Sequence, residues 1–538
     1  MQIKHPYRIA LAALFVAWSF DFLFWGHDSG ISFPIFIFIL AVTGLALAWS
    51  EGVRIPPTSL WLLLPTAFFA LMSVLRLEPF TTTLNVAISL GSLAILVLTL
   101  LGGQWITYSL SDYAAAPFRL AASMLGRVPM VWRDKLRFDR EEREQRGETP
   151  GKPGALKRSA PVFRGLLLAV PVVAVFSALF AAADPIFAQS IKAIIDFSWL
   201  QNLDEALFRI CYVLLFAYFF QGLYLHALID SRQERLIGLD KPWLPAFLGW
   251  TESVVLLACV DLLFAFFVGL QVRYFFGGQA NIHIEGFTYA EYARRGFGEL
   301  VMVALFSLAL ILGLSSVTRR ETSRQSRVFS GLTTGLVGLV IVILVSAFQR
   351  MALYESAYGF TRVRTYTTVF MVWLGLLLIC AALLEIVKRQ RAFALACLVA
   401  LIGFGISLNL LNVDAFIVQQ NVAIAVQGKE LDQLYLTGLS DDAIEPTVAS
   451  FHDPALPKEV HDRLGGSLAC RLTTASTSEQ PTVQPWQAYH PTRARAQALL
   501  LSLKDELKSY PMVQDEYDFW QVKINGELFY CFPDHPFD

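Results

Sequence analysis

The chain has 538 residues, of which 55% are hydrophobic and only 16% are charged. Soluble domains average about 25% charged residues, so this composition excludes an ordinary soluble protein and indicates a chain that lies mostly in lipid. The formal net charge is −1, and no basic stripe with interleaved aromatic residues stands apart from the membrane-flanking loops, so no nucleic-acid partner is predicted.

Apolar segments long enough to cross a membrane recur along most of the chain. A transmembrane helix needs about 17–25 predominantly apolar residues to span a hydrocarbon core of ~30 Å. We place eleven such segments near 9–26, 31–49, 59–75, 84–102, 163–182, 206–227, 247–270, 297–316, 329–348, 367–387 and 392–411. Ten or twelve spans would also fit the hydropathy. The predicted fold class is an all-α polytopic membrane bundle of about 11 transmembrane helices with a small α+β extracytoplasmic C-terminal domain.

Three segments beside or between the spans need a separate interpretation. The first residues, MQIKHPYRIALAALF, are basic and then apolar as in a signal peptide, but no small-residue cleavage site follows, so we expect an uncleaved first span. The stretch 104–125 is predicted to be an amphipathic helix on the membrane surface. The charged segment 133–158 is typical of a solvated surface helix and tether, with a partner-docking site as the alternative.

The distribution of lysine and arginine orients the predicted bundle. These residues are densest from Arg119 to Arg158, on the same side as the N-terminus, which places that side in the cytoplasm. An odd number of spans then puts everything after Leu411 outside. The predicted domains are 1–102 with transmembrane helices 1–4, 103–162 with the cytoplasmic amphipathic helix and charged linker, 163–411 with transmembrane helices 5–11, and 412–538 with an extracytoplasmic helical tail.

Residues 412–538, called the tail below, contain no apolar segment of span length, unlike the rest of the chain. Their apolar residues are typical of short amphipathic helices, one of them near 492–509. The end of the chain, WQVKINGELFYCF, contains two β-prone runs joined by Asn525 and Gly526, the favoured dipeptide of a type I′ turn. The tail is therefore predicted to be an α+β domain that ends in a β-hairpin.

The tail contains no recognisable catalytic or ligand-binding motif. It has no Ser/His/Asp spacing, metal-ligand cluster or phosphate loop, so neither a metal nor a cofactor is predicted. Cys470 and Cys531 are its two cysteines, and in an oxidising compartment they would be natural disulfide partners. The sequence does not give their distance, so two free thiols are the alternative.

We single out four ionisable residues within predicted spans, where a charged residue costs on the order of 2.5–3.5 kcal/mol on insertion scales. Asp21 and Arg209 are predicted near the same end of their helices, so they form either a buried ion pair or part of a proton or ion site. Glu252 and Asp261 are nine residues apart, about half a revolution out of phase on a helix, which excludes a relay between them. Asp261 has no cation at its depth, so we expect it to be protonated or bonded to Ser or Thr.

A second group of polar residues flanks the helices on the predicted outer side. It comes from three stretches, QVRYFFGG (271–278), YAEYARRGFGEL (289–300) and QRMALYESAYGFTRVRTY (349–366). The members that we single out, called the rim below, are Arg273, Tyr289, Tyr292, Arg294, Arg295, Glu299, Arg350, Tyr354 and Arg364. One interpretation is an interfacial belt of tyrosines and snorkelling arginines. The other is an anion site in which arginine forks bind phosphate or carboxylate.

The same stretches, together with ADPIFAQ (183–189), LNVDAFIVQQN (411–421) and LDQLYLTGLSDDA (431–443), resemble the pattern of a bacterial integral membrane family known as domain of unknown function 4173 and of its close relative 4153. The resemblance covers roughly residues 8–500. It implies a polytopic protein of the bacterial cytoplasmic (inner) membrane with a helical outer tail. It implies no activity.

Three functions fit these observations. The favoured one is a non-catalytic envelope protein that binds an anionic membrane lipid headgroup at the rim or an envelope protein partner through residues 412–538. A secondary transporter would use Asp21 or Asp261 for coupling, but we find no convincing inverted repeat. A membrane-bound transferase acting on lipid-linked sugars is less favoured. His27, Asp28, His283 and Glu285 could in principle gather around a metal, but their spacing does not demand one.

Overall fold

A computed structural model of the protein describes residues 5–145, 203–232, 246–276, 297–477 and 485–531, with scattered positions between 165 and 187 and at Leu236. The helices of the first part of the chain are α1 (Pro6–Phe24), α2 (Ser32–Ser50), α3 (Pro57–Leu60), α4 (Leu63–Leu75), α5 (Pro79–Thr99), α6 (Leu110–Gln145), α7 (Leu203–Ile229), α8 (Trp250–Phe276), α9 (Phe297–Val317), α10 (Ser323–Tyr358), α11 (Arg362–Val387) and α12 (Phe393–Leu411). The helices of the tail are α13 (Val413–Val426), α14 (Gln433–Thr437), α15 (Ile444–Phe451), α16 (Lys458–Thr477) and α17 (Pro491–Ser502). Three short strands follow, β1 (Met512–Gln514), β2 (Trp520–Ile524) and β3 (Glu527–Tyr530).

The helices of the bundle have the lengths and the composition of membrane spans. Within the described ranges, ten helices are long and apolar enough to cross a membrane. They coincide with ten of the eleven predicted segments; the longest is α10, which extends from Ser323 to Tyr358 and so exceeds the predicted span 329–348 at both ends. The protein is therefore a multi-pass membrane protein of the predicted fold class.

The eleventh predicted span, 163–182, lies largely outside the described residues and stays a prediction. The described helices on either side of it give one constraint. The Leu101 amide, just after α5, donates to Ser231 Oγ, just after α7, at 3.1 Å, so these two helices end at the same side of the bundle. α7 therefore begins at the opposite side from the end of α5, an arrangement that one span between them accommodates.

The predicted surface helix at 104–125 is one part of a longer helix. After a 3₁₀ turn at Gln104–Thr107, α6 continues without interruption into the charged segment as far as Gln145. Polar contacts tie its middle to the last turns of α7, because Arg127 Nη2 lies 2.5 Å from Asp230 Oδ1 and His226 Nδ1 lies 2.7 Å from Ser123 Oγ.

The spans pack in two groups, each around its own apolar core. The first group is α1, α2, α4, α5 and α7, in which α1 lies along α7 and the rings of Phe20 and Phe216 stack with centroids 4.9 Å apart. The second group is α8, α9, α10 and α11, with buried residues such as Leu257 and Leu336. α12 packs against α5 and α11 and so joins the two groups.

Local sequence explains where several of these helices begin. Glu78 precedes Pro79 at the start of α5, and its carboxylate accepts hydrogen bonds from the Phe80 and Thr81 amides at 2.9 and 2.7 Å. α10 begins with a capping box, in which Thr322 and Gln325 each accept a bond from the other's backbone amide. Both arrangements satisfy amides that a helix start leaves without partners.

The tail has a single core shared by its helices and its small sheet. The three strands are antiparallel in the order β1-β2-β3. β2 and β3 form the predicted hairpin, in which Asn525 and Gly526 have positive φ angles of 48° and 95°, as a type I′ turn requires. Cys470 on α16 and Cys531 after β3 are joined in a disulfide, which fixes the hairpin to the helical part of the tail.

Candidate functional site

Much of the rim lies outside the described residues. This is true of Tyr289, Tyr292, Arg294 and Arg295, and of the side chain of Arg273. Four members of the rim are described, namely Glu299, Arg350, Tyr354 and Arg364. They belong to α9, α10 and α11, and all four lie at the end of the bundle on which the tail packs, called the tail end below.

Tyr354 and Arg364 form a stacked pair between the last turn of α10 and the first turn of α11. The Arg364 guanidinium lies 4.0 Å from the centroid of the Tyr354 ring, and the Tyr358 ring meets Tyr354 edge-on with centroids 5.1 Å apart. Nη1 of Arg364 also donates to the carbonyls of Tyr358 and Gly359, at the end of α10. Tyr354 and Tyr358 thus lie on one face of α10, and the arginine that contacts them is Arg364.

The other two described rim residues lie apart from this pair. Arg350 is half-buried on α10, one helical turn before Tyr354. Glu299 is exposed in the first turn of α9 and lines a groove of about 710 Å³ with apolar side chains of α9 and α11, among them Phe306 and Phe370. The described rim is therefore divided between the end of α10 with the start of α11, where Arg350 precedes the stacked pair by one turn, and this groove at the start of α9.

Arg362, two residues before Arg364, has a different role from its neighbour. Its Nε and Nη2 donate to the two oxygens of Asp414 at 2.8 and 2.6 Å, and the Asp414 side chain is completely buried. Asp414 Oδ2 also accepts the Ser440 amide at 2.7 Å. Arg362 therefore belongs to the joint between the bundle and the tail, so it is not available to an anion from solution.

The tail is bound to three loops at the tail end, and we call this contact the seam. At the first loop, the amides of Gly30 and Ile31 donate to the carbonyls of Gln487 and Tyr489 at 3.2 and 3.0 Å. A Cβ on Gly30 would lie 2.5 Å from the Ala488 carbonyl carbon, so glycine is needed for the two backbones to approach this closely. His490 continues the contact, with Nε2 3.0 Å from the Ser29 carbonyl oxygen.

The second and third loops are held by side chains of the tail. Asp442 Oδ2 accepts the amides of Leu77 and Glu78, between α4 and α5, at 2.7 and 3.1 Å. Asn421 on α13 forms two bonds to the backbone of Phe360, between α10 and α11, at 2.6 and 3.0 Å. The tail is thus fixed to the bundle by backbone and buried side-chain hydrogen bonds at all three loops.

A polar cavity of about 360 Å³ lies in the seam, between α4, α13, α15 and α17. Its charged lining consists of Arg76, Asp441, Asp442, Glu445 and Arg495. Burial raises the pKa of the Asp442 carboxyl above its ordinary value, although the Leu77 amide and the Arg76 guanidinium act in the opposite direction. Burial also lowers the pKa of Arg76. None of these five residues was among the candidates that the sequence analysis named.

The predicted ionisable residues of the spans fall into two arrangements. Arg209 donates to both oxygens of Asp21, at 3.2 and 2.6 Å, so α1 and α7 are linked by an ion pair. Glu252 does not lie inside the bundle: it is exposed in the first turn of α8, where its carboxylate accepts the Gly249 amide at 2.8 Å. A carboxylate at that position satisfies a helix-start amide and remains in contact with water.

Asp261 differs from Asp21, Arg209 and Glu252. It is half-buried in the middle of α8, and no described residue donates a hydrogen bond to its buried Oδ1. Within the described part of the chain, Oδ1 of Asp261 therefore does not make the hydrogen bond to Ser or Thr that was one of the two predicted alternatives.

Two polar clusters inside the bundle were missed by the sequence analysis. Asn85 and Asn409 exchange hydrogen bonds through their side-chain amides, at 3.0 and 2.6 Å, and both are buried. Glu385 is buried near the end of α11, where it contacts Arg320 and accepts bonds from Ser315 and Gln390 at 2.8 and 2.6 Å. Both clusters could have been predicted, because each contains a polar residue within an apolar run of the sequence. An amide or carboxylate in such a run is expected to have a partner on another helix.

As for metals, the described residues contain no group of three or more His, Cys, Asp or Glu side chains placed to hold an ion.

Comparison with known families identifies the chain. The family model described as Domain of unknown function (DUF4153) matches residues 63–449, which is more than half of the sequence. The protein belongs to the DUF4153 family. This is the family that the sequence analysis gave as the close relative of family 4173. No curated protein and no solved structure matches the chain.

The DUF4153 match contains most of the seam. It extends from the start of α4 into α15 and includes Arg362, Asp414 and Asp442. It ends before α16, so both cysteines of the disulfide lie outside it. The second and third loops of the seam, with their partners in the tail, are thus part of the matched region, whereas the first loop and the disulfide-bonded end of the tail are not.

Proposed function

We propose that this DUF4153 protein is a non-catalytic envelope protein of the bacterial cytoplasmic (inner) membrane, and that it binds an anionic lipid headgroup at the rim. The N-terminus is cytoplasmic and the tail extracytoplasmic in this proposal, in agreement with the Lys/Arg bias of the loops. The working part of the rim is the neighbourhood of Arg294, Arg295, Arg350 and Tyr354. The exposed surface of residues 412–538 is then available to an envelope protein partner.

The observation that carries this proposal is the stacked pair of Tyr354 and Arg364. The ring and the bonds of Nη1 hold the guanidinium in one orientation, while Nε and Nη2 make no hydrogen bond within the described part of the chain. Arginine binds phosphate with two parallel N–H groups, and an arginine that is already held loses less freedom on binding. Tyrosine at a span end is also typical of the headgroup level of a membrane.

Native mass spectrometry of protein extracted gently from its own membrane tests the proposal. Three proteins would be compared: wild type, a rim variant in which Arg294, Arg295 and Arg364 are all replaced by glutamine, and a control double variant Arg324→Gln with Arg327→Gln. The control removes two exposed arginines from the start of α10, at the opposite end of the bundle. An anionic lipid retained by wild type and control but lost from the rim variant supports the proposal. Identical adducts on all three proteins would overturn it.

Asp261 supports a second candidate, a proton-coupled transporter. A carboxylate within a span with no hydrogen-bond donor on one oxygen is a favourable position for a proton that is taken up and released. Wild type and the Asp261→Asn variant would be reconstituted in liposomes loaded with a pH-sensitive dye. Proton flux down an imposed gradient that the variant loses supports transport, and equal flux through both proteins excludes this role for Asp261.

A further inference from the structure

Two apolar grooves lie side by side along the tail-end half of α11. The first is the groove of about 710 Å³ between α9 and α11 that Glu299 lines. The second, of about 530 Å³, lies between α11, α12 and the start of α5. Thr367 and Phe370 of α11 line both grooves, so these two side chains form the ridge that divides them.

Both grooves are open to the surroundings of the bundle. Phe306, in the wall of the first groove, is 66% exposed, and Leu401, in the wall of the second, is 46% exposed. All four helices that form the grooves are long and apolar enough to cross a membrane. A span is surrounded by the hydrocarbon of the bilayer, and an apolar groove left empty there would lose its dispersion contacts. The occupant that the membrane supplies is an acyl chain.

The grooves have the depth of one leaflet of the bilayer. The second groove extends along α11 from Tyr366 to Leu377, which is about 16 Å at the rise of an α-helix. The first groove extends along α9 from Gly298 to Phe306, which is about 12 Å. One leaflet has a depth of about 15 Å, half of the ~30 Å hydrocarbon core. Both grooves therefore begin at the tail end and reach to about the middle of the bilayer.

Polar side chains line the grooves at the tail end. Glu299 is in the first turn of α9, and Tyr366 and Thr367 are in the second turn of α11. Below them the described lining is apolar, apart from a cysteine thiol and from Trp373, whose Nε1 donates to Ser407 Oγ at 3.1 Å. A polar end at the membrane surface and an apolar end near the middle match the head and the chains of a lipid.

We propose that the lipid bound at the rim is a two-chain phospholipid, with one acyl chain in each groove and Phe370 between the chains. Two grooves that share one ridge fit two chains joined at a single headgroup, whereas a single chain would fill only one groove. The position of the headgroup rests on the function proposed above, since Arg294 and Arg295 precede Gly298 by four and three positions in the sequence. The position of the chains rests on the grooves alone.

The test is native mass spectrometry of the delipidated full chain in detergent. The added lipid is phosphatidylglycerol, its single-chain lyso form or phosphatidylcholine, and the proteins are wild type, Thr367→Trp, Leu401→Trp and Val372→Trp. Tryptophan at 367 narrows both grooves at their ridge, and tryptophan at 401 narrows only the second groove. Val372 is 52% exposed on the same helix and lines neither groove, so its variant is the control for a bulky residue on α11. Thermal unfolding of each variant checks that it is folded.

We expect wild type and Val372→Trp to retain phosphatidylglycerol equally. Both should bind the lyso form at least about tenfold more weakly, because the second chain buries additional CH₂ groups. Thr367→Trp should lose phosphatidylglycerol. Leu401→Trp should bind the lyso form and phosphatidylglycerol alike, a loss of preference that does not depend on the folding of the Thr367 variant.

Failure of the chain site and failure of the headgroup site give different results. Equal retention of phosphatidylglycerol by wild type, Thr367→Trp and Leu401→Trp overturns the chain site, even if the rim variant loses the lipid. The chain site is also overturned if wild type retains no lipid, or if it binds the lyso form as tightly as phosphatidylglycerol. If wild type retains phosphatidylcholine as well as phosphatidylglycerol and Thr367→Trp loses both, the chain site is supported and the anionic headgroup is not.

Discussion

Arg362 and Asp414 form a bidentate ion pair in which the carboxylate is completely buried and the guanidinium largely so. Arg362 is the first residue of α11, and Asp414 is the second residue of α13, the first helix of the tail. The pair therefore joins a predicted span to the domain that follows the spans, although fifty-two positions separate the two residues. Removing one partner of such a buried pair tests how much the pair contributes to stability.

Replacing Arg362 by methionine should destabilise the protein strongly. Asp414 would keep the Ser440 amide but lose its counter-charge, and an uncompensated buried charge costs about 3–5 kcal/mol. Thermal and denaturant unfolding in mild detergent, followed by tryptophan fluorescence, measures the change. Lys508→Met is the control because its pair with Asp505 is exposed, and exposed pairs contribute little to stability. Equal losses in the two variants would show that the Arg362–Asp414 pair does not hold the joint.

The disulfide between Cys470 and Cys531 should stabilise the end of the tail. It closes a loop of sixty-one positions and attaches β3 to α16. Removing a native disulfide from a small domain costs about 2–5 kcal/mol. In the Cys470→Ser, Cys531→Ser double variant we expect faster hydrogen exchange over residues 512–531, with α1–α12 unchanged. Cys211→Ser, which changes a free cysteine of α7, should leave the exchange of the tail as in wild type. Unchanged exchange of the strands in the double variant would contradict the prediction.

The features that could be predicted from sequence are those that depend on neighbouring residues. An apolar run of span length is local, and so is the turn at Asn525 and Gly526, which is why the hairpin and the ten spans within the described residues were placed correctly. β1 has only three residues and pairs with β2 across a loop, so it left no periodic signal. The helix boundaries of α6 were also misjudged, because contacts with α7 extend beyond the amphipathic stretch.

The seam could not be predicted for a related reason. The bond from the Leu77 amide to Asp442 joins residues 365 positions apart. Asp442 was visible in the sequence as one of two acidic residues after Ser440, a pattern typical of a helix start, and Ser440 indeed accepts the Asp442 amide at the start of a 3₁₀ turn. Nothing local shows that the same carboxylate also reaches the loop between α4 and α5. Long-range partners of this kind require the tertiary structure.

Substitution of Gly30 should loosen the tail from the bundle. An alanine Cβ would lie 2.5 to 2.8 Å from three backbone atoms of Ala488 and Tyr489, and these cannot shift without breaking the hydrogen bonds of the first loop. Overpacking at a tight contact typically costs about 1–3 kcal/mol. Gly30→Ala should therefore speed hydrogen exchange at the Ile31 amide, and mild proteolysis should release the tail sooner. Gly91→Ala on α5 is the matched control, since nothing lies within 4 Å of its Cβ position. Equal behaviour of the two variants would show that the first loop does not hold the tail.

Asp442 should make the stability of the protein depend on pH in a defined direction. Burial raises the pKa of Asp442 above its ordinary value of 3.8, and the charge of Asp414 acts in the same direction, whereas Arg76 and the amides of Leu77 and Glu78 oppose the shift. Asp441 and Glu445 line the same cavity. The pH window of interest lies between the pKa of Asp442 in the unfolded chain and its higher pKa in the folded protein. Within this window the Asp442 carboxyl is protonated more often in the folded protein than in the unfolded chain.

The free energy of unfolding must then fall as pH rises through that window and stay constant above it, because stability decreases wherever the folded state binds the additional proton. The measurement is the melting temperature of wild type minus that of Asp442→Asn, in amine-free buffers from pH 4 to pH 8. Asparagine cannot titrate, so the subtraction removes the contributions of Asp414, Asp441 and Glu445 as far as they are independent of residue 442. We expect the melting temperature of wild type, relative to that of Asp442→Asn, to be highest near pH 4 and to fall as the pH rises. A difference that rises with pH would contradict the prediction, because it would mean that the surroundings stabilise the charged form of Asp442 in the folded protein.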